Sequence, residues 1–304
     1  MTPLTIVDAP SSAGAYAPGQ EKAPMAMREA GFHERLRAAV SDYDEITDIE
    51  TFRWRPDRQR PNAMNAQAVI HTASRVASSV ASAASEGRFA VVLGGDCTVG
   101  IGTVAGLAQV ERRLGLIYAD YDTDLQTPDT TDDGALDWMG VAHMLDLANS
   151  DDALAALGSR RPLLRPSDVL LFGAGNITPA EHERIRSLQL RTIGSERVAQ
   201  NPEAAAREAL DWALGFDALV LHFDVDLIDF EDFPLSENLR RKQALTFDAA
   251  MTALGLLLSA PKLAALTVTE VNPDHDPGGN LERFCECLTD DMMRGRGWGL
   301  AASA

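Results

Sequence analysis

Residues 117–128, IYADYDTDLQTP, place aspartates at 120, 122 and 124 directly behind the apolar run RLGLIYA. That run, with Leu114, Leu116, Ile117 and Tyr118, reads as a buried strand. Alternate positions of a strand share one face, about 7 Å apart. Extended geometry held to the end of the run therefore predicts three carboxylates pointing the same way. Like charges so arranged raise one another's pKa, so the pattern calls for something to offset them.

Outward from this strand, short apolar runs alternate with helical patterns. Strands are predicted at 4–10, 46–54 (ITDIETFRW), 88–95, 113–119, 168–175, 190–194, 216–226 and 262–273. Helices are predicted at 23–40, with Pro24 in the first turn, at 62–87, stopped by Gly87, and at 98–113, 179–188, 203–214, 247–259 and 279–294. Several strands are apolar throughout, which suits a parallel sheet covered on both faces. The expected fold is α/β, a three-layer α/β/α arrangement around a mostly parallel sheet of about eight strands. With no linker, repeat or low-complexity segment, residues 1–304 are expected to form one domain.

Ligands of open α/β sheets bind beyond the carboxyl ends of the strands. There the chain carries GGDC (94–97), DYDTD (120–124), DVD (224–226) and TEVNP (269–273). A single D-x-D at a strand end is more often loop solvation or a helix cap than a site. Cys97 alone reads as a small buried hydrophobe, and Glu270 alone as a surface acid or ion-pair member. Two strands ending in same-face aspartates are a different matter, because their repulsion needs divalent cations to offset it. Oxygen ligands favour hard ions such as Mg, Ca and Mn, and the thiolate of Cys97 shifts preference toward Zn or Fe. Carboxylates shared between two ions make a centre that ionises water and polarises a substrate.

Composition narrows the partners. Acidic residues number 45 against 27 basic, for a net charge of −18. This argues against nucleic acid and anionic membrane surfaces, and permits cationic substrates and metal ions. The three cysteines, Cys97, Cys285 and Cys287, fit a reducing compartment. The N-terminus lacks a signal-peptide pattern, and no apolar run approaches the roughly 20 residues of a spanning helix. The expected location is the cytoplasm.

The ordered motifs GGDC, DYDTDLQTP, GALDWMG, DVDLID and EVNP, with GQEKAPMAMREAG near the N-terminus, resemble the ureohydrolases, the family of arginase and agmatinase. The resemblance runs from about residue 5 to 290 and implies the same three-layer fold. It implies two divalent metal ions, Mn by family habit. Cys97, Asp120, Asp124 and Asp224 would surround one, and Asp120, Asp122, Asp224 and Asp226 the other. It further implies hydrolysis of a linear C–N bond in a small cationic guanidino or amidino compound, releasing urea or a related amide and an amine. Glu270 would hold the cation by a charge-assisted contact. Glu270, Asp122 and Asp137 are the expected catalytic residues, and Gln126, Glu181 and Glu270 the expected substrate contacts. A homo-oligomer, trimer or hexamer, is expected by resemblance.

Three family histidines are missing: their positions carry Cys97, Asp122 and Asp137. Fully ionised, the six ligands would bring six negative charges against four positive from two divalent ions. Three outcomes follow: a ligand that stays protonated, a different metal, or loss of one metal and of the usual activity. Asn176 and Thr178 stand where arginases tend to carry aspartate, Gln126 replaces a family asparagine, and Trp138 adds an aromatic, all of which weigh against L-arginine. His275 is the candidate replacement proton shuttle, while His143 and most other histidines read as helix or core residues. The rival readings are a phosphate cradle at GGDCTVGIG, opposed by Asp96 and by glycine spacing, a thiol enzyme at Cys97, lacking a paired base, and a catalytically impaired ureohydrolase-like protein with a binding or assembly role.

Overall fold

The computed structural model describes residues 2–239 and 244–299. Eight strands form one sheet: β1 (Leu4–Asp8), β2 (Tyr43–Ile46), β3 (Phe89–Leu93), β4 (Leu114–Ala119), β5 (Val169–Phe172), β6 (Arg191–Ile193), β7 (Ala218–Asp224) and β8 (Leu263–Thr269). Their order is β2-β1-β3-β8-β7-β4-β5-β6. Every ladder between them is parallel, so each connection crosses over a face. β1, β3, β4 and β7 are buried on both sides, which explains their unbroken apolar runs.

Alternation along the strands divides the core into two layers. Ile6, Val91, Ile117 and Leu221 face helices Ala23–Glu29, Phe32–Ala39, Pro202–Ala213, Phe247–Leu257 and Asn280–Arg296. Val7, Val92, Leu116 and Val220 face helices Ala66–Ser85, Val99–Leu107 and Gly140–Met144. Gly102 and Gly106 let the second of these pack closely on the first: a Cβ at either would lie within 2.6 Å of a backbone oxygen of helix Ala66–Ser85.

Two elements differ from the sequence reading. The second strand is Tyr43–Ile46, not 46–54, and beyond it the chain makes only the isolated bridge Ser11–Phe52. Its charged Asp44 and Glu45 suit a sheet edge, where little apolar content is needed. The helix expected over 23–40 is two helices, divided where Gly31 takes φ 84°, a left-handed turn open to glycine.

The order brings β3, β8, β7 and β4 together at the centre of the sheet. Their carboxyl ends carry GGDC, Glu270, the 224–226 pair and the 120–124 cluster.

Candidate metal centre

The two D-x-D motifs solve the same local problem in the same way. Asp120 Oδ1 accepts the N–H of Asp122 at 2.6 Å, and Asp224 Oδ1 accepts the N–H of Asp226 at 2.7 Å. Each first aspartate thus turns its own backbone with one oxygen, a local Asx-type turn, and leaves Oδ2 for other work. The extended geometry expected through residue 124 stops at Ala119, because this turn takes over and Asp124 adopts φ 48°. Asp124 is fixed instead by the phenol of Tyr118, which donates to its Oδ2.

Donor atoms of Asp120, Asp224 and Asp226 lie within 4.8 Å of one another, all buried. The Cys97 thiol joins them, donating to Asp224 Oδ2 at 2.9 Å. Asp122 sits at the margin, its Oδ1 accepting from Asn176 Nδ2 at 2.5 Å. Asn238 holds Asp226 in the same manner from the other side. Glu270 closes the site from β8. Its Oε2 accepts from Gln20 Nε2 at 3.0 Å, and its backbone takes φ 63°, a conformation unfavourable for a residue with a Cβ.

Asp137 lies between Cys97 and Glu270, and one donor atom from each of the three falls within a 4.8 Å cluster. Its Oδ1 accepts the Cys97 N–H at 2.7 Å, and its own N–H binds Gly14 O. Gln126 is half-buried and tied by its backbone to Trp138 O, while Trp138 stacks on Tyr16. Glu181 is turned to another task. It completes a capping box with Thr178 and accepts from Thr123 Oγ1 at 2.7 Å, so both oxygens are engaged in holding the 176–181 turn. His275 is half-buried with Nδ1 against Ser236 O, and His143 has both ring nitrogens engaged, on Met139 O and the Asp151 N–H.

Three contributors were not among the site residues expected from the sequence: Gln20, Asn238 and His222. His222 was assigned to the core, and it is buried, yet its Nε2 lies 3.3 Å from Cys97 Sγ. The H-x-D spacing of His222 and Asp224 puts both on one face of β7, a signal the sequence did contain.

The electrostatics are one-sided. Desolvation raises the pKa of Asp120, Asp124, Asp137, Asp224 and Glu270, and neighbouring acids raise them further. Burial, with Asp224 next, pushes the Cys97 thiol up as well. Burial alone takes His222 down to about 3, which keeps the ring neutral. Among the described residues, buried Asp120 Oδ2 and Glu270 Oε1 have no hydrogen-bond partner, a state that normally costs 1–3 kcal/mol or more per atom. Clustered buried acids with open oxygens and a thiol beside them fit divalent cations.

The sequence matches the Arginase family over residues 2–291. The chain belongs to the arginase family. It is 29% identical to an arginase of Bacillus caldovelox over 283 residues, covering 90% of this chain and 92% of that one. It is 28% identical to human arginase-1, covering 89% of this chain and 85% of that protein. The solved Bacillus caldovelox arginase superposes with a TM-score of 0.85 at 26% identity, over 96% of this chain and 98% of the other. A formimidoylglutamase of Bacillus subtilis shares the fold, with a TM-score of 0.75 at 17% identity, over 99% of this chain and 88% of the other. Membership places this arginase-family chain among metal-dependent hydrolases of amidino C–N bonds, a family of two-metal centres that typically use Mn. Among the described residues, no helix is long and apolar enough to cross a membrane.

Proposed function

We propose that this chain hydrolyses a linear C–N bond in a guanidino or amidino compound at a two-metal centre, releasing urea or a related amide together with an amine. The convergence of buried Asp120, Asp224 and Asp226 from two strands, with the Cys97 thiol beside them, carries this reading. Asp120 and Asp224, each with Oδ1 fixed by its own turn, would both help hold the two ions. Asp226 and Asp122 would hold one ion, and Cys97 and Asp124 the other. Bound there, divalent ions supply Lewis acidity and a water acidified enough to ionise near neutral pH.

The protein's own groups do the rest. Glu270, oriented by Gln20, presents Oε1 to a planar cation and fixes the carbon to be attacked. Asp137, whose carboxyl is pushed up by burial and by Asp96, stands beside Glu270 where a departing amine needs a proton. Burial of the whole cluster excludes bulk water and strengthens each contact.

Substrate choice follows from the rim. Glu181 is occupied by its capping box, and Asn176 is bound to Asp122. Neither offers an open carboxylate to an α-amino group, which favours a guanidino compound other than L-arginine. Mn is the default metal, with Zn or Fe favoured at Cys97 by its sulfur. A cytoplasmic homo-oligomer, trimer or hexamer, completes the reading by family.

The test begins with metal content per chain, on protein purified without chelator or affinity-column nickel. Near two equivalents, followed by urea or amide release from a panel of guanidino and amidino compounds, supports the reading. Near zero, with none regained on adding Mn, Zn or Fe, overturns it. Two metals with no turnover on any member of the panel favours the catalytically impaired form with a binding role.

A further inference from the structure

The family's GGDH histidine is Cys97 here, so one metal position has lost its imidazole. The structure places another imidazole beside the substitution. His222 is fully buried on β7, two residues before Asp224 and on the same face. One donor atom from each of Cys97, Asp120 and His222 lies within a 4.8 Å cluster. Nε2 is 3.3 Å from Cys97 Sγ and 3.2 Å from Thr269 Oγ1.

The ring is held in this pose by its surroundings. It stacks on Tyr118, its register partner on β4, with centroids 4.2 Å apart and planes 9° from parallel. On its far edge stands Gly100, where a Cβ would come within 2.7 Å of Nδ1. A helix position without a side chain therefore makes room for the ring. Ligands about 2.0–2.3 Å from a tetrahedral ion lie roughly 3.3–3.8 Å from one another. The sulfur–nitrogen separation is at the lower edge of that range before any ion has drawn the donors round itself.

We propose that His222 is a metal ligand, and that with Cys97 it forms a sulfur–nitrogen–oxygen position selective for Zn(II) beside an all-oxygen position that takes Mn(II). The inference rests on the two-metal reading above and goes beyond it. The imidazole lost from the loop after β3 is supplied from β7, across the site. Sulfur and imidazole donors favour Zn, whereas Asp122, Asp224 and Asp226 form a hard set that suits Mn. The two positions are then chemically distinct, and the centre is a mixed-metal pair.

The experiment uses the full chain, stripped of metal and offered Zn(II) and Mn(II) together, followed by X-ray absorption at the Zn edge. The expected result is about one Zn per chain, with a sulfur neighbour at about 2.3 Å and an imidazole nitrogen at about 2.0–2.1 Å. Joint sulfur and imidazole scattering identifies His222. His33 faces Asp8, His143 is engaged at both nitrogens, His275 faces Ser236, and His71 and His182 are exposed on helices. His222→Ser is expected to weaken Zn binding by more than the roughly 10–100-fold that loss of an outer partner costs, and to leave Mn bound. Zn with sulfur but no imidazole overturns the inference and leaves the two-metal reading standing, as does Mn at both positions. A chain that takes up no metal at all overturns both. The wild-type spectrum decides the matter even where the variant fails to fold.

Discussion

Replacing Asp120 by Asn raises the stability of the metal-free protein and removes most of the stabilisation that metal gives. Donor atoms of Asp120, Asp224 and Asp226 lie within 4.8 Å of one another. At that separation and an effective dielectric of 20, each like-charge pair costs about 3.5 kcal/mol. Protons taken up by the cluster limit the strain, since holding a proton one unit beyond the natural pKa costs only about 1.4 kcal/mol. The net relief on removing one charge is therefore about 2–4 kcal/mol. Asn is isosteric, its Oδ1 still accepts the Asp122 N–H, and its amide takes the place of the unpartnered Oδ2 and donates to neighbouring carboxylates. For a chain of 304 residues, roughly 2 °C per kcal/mol gives a metal-free melting temperature about 4–8 °C above wild type. With metal the ranking inverts. Two ions, each at 100 times its Kd and each worth about 2.7 kcal/mol, together add about 5.4 kcal/mol to wild type, and the variant, lacking the Asp120 carboxylate, gains little. Calorimetry of both proteins, with chelator and with Mn or Zn, reads all four states. A metal-free variant that melts at or below wild type, or equal stabilisation of the two by metal, refutes the reasoning.

Other expectations follow from the same geometry. Glu270→Gln keeps the shape and the metal but removes the charge facing the substrate, so metal content should hold while turnover falls about 100-fold, a loss near 2.7 kcal/mol; unchanged turnover removes Glu270 from substrate binding. The metal-free protein should lose stability as pH rises. Burial lifts Asp96 from 3.8 to about 6, so the folded chain binds more protons than the unfolded between those values and its stability declines across that window, by about 3 kcal/mol from Asp96 alone. The raised acids of the centre add to the decline, and melting temperatures that climb from pH 4 to pH 6 contradict it. Gly95→Ala puts a Cβ 2.0 Å from the Ser11 carbonyl oxygen, a backbone atom with nowhere to go. A loss of about 3 kcal/mol or more, measured by urea unfolding, is expected, and a neutral effect shows that the loop before Cys97 is looser than described.

Much of this was legible from residue order. Strands buried on both faces announce themselves as unbroken apolar runs, so β3, β4, β7 and β8 were read close to their true limits, and with them the strand ends where the acids gather. The edge strand β2 escaped because an edge needs little apolar content, and the paired helices of 23–40 because Gly31 interrupts a pattern whose period continues beyond it. In the site, residues repeated by motif were found, and residues that act singly were not. Gln20 reaches Glu270 from 250 positions away, a contact no local pattern encodes. Glu181 matched a family position, but its spacing from Thr178 is also that of a capping box, and the local bond is the one it makes. His222 looked like one more apolar-strand residue until its ring was found against Cys97.

The place of β8 has a consequence for how the chain reaches its native state. β8 is the last strand in the chain and lies between β3 and β7 at the middle of the sheet. Before it arrives, the earlier strands can pair only as two half-sheets, β2-β1-β3 and β7-β4-β5-β6, each with an open edge. Cys97 belongs to the first half, Asp120 and Asp224 to the second, and Glu270 to β8 itself. During synthesis the metal centre therefore cannot exist until residue 270 has left the ribosome. Nascent chains stalled earlier expose two sticky edges that invite chaperones or aggregation. Closure by such a distant strand is slow, and an ion that binds only the closed sheet pulls that last step forward. Metal supply during expression would then govern the yield of soluble protein as well as its activity.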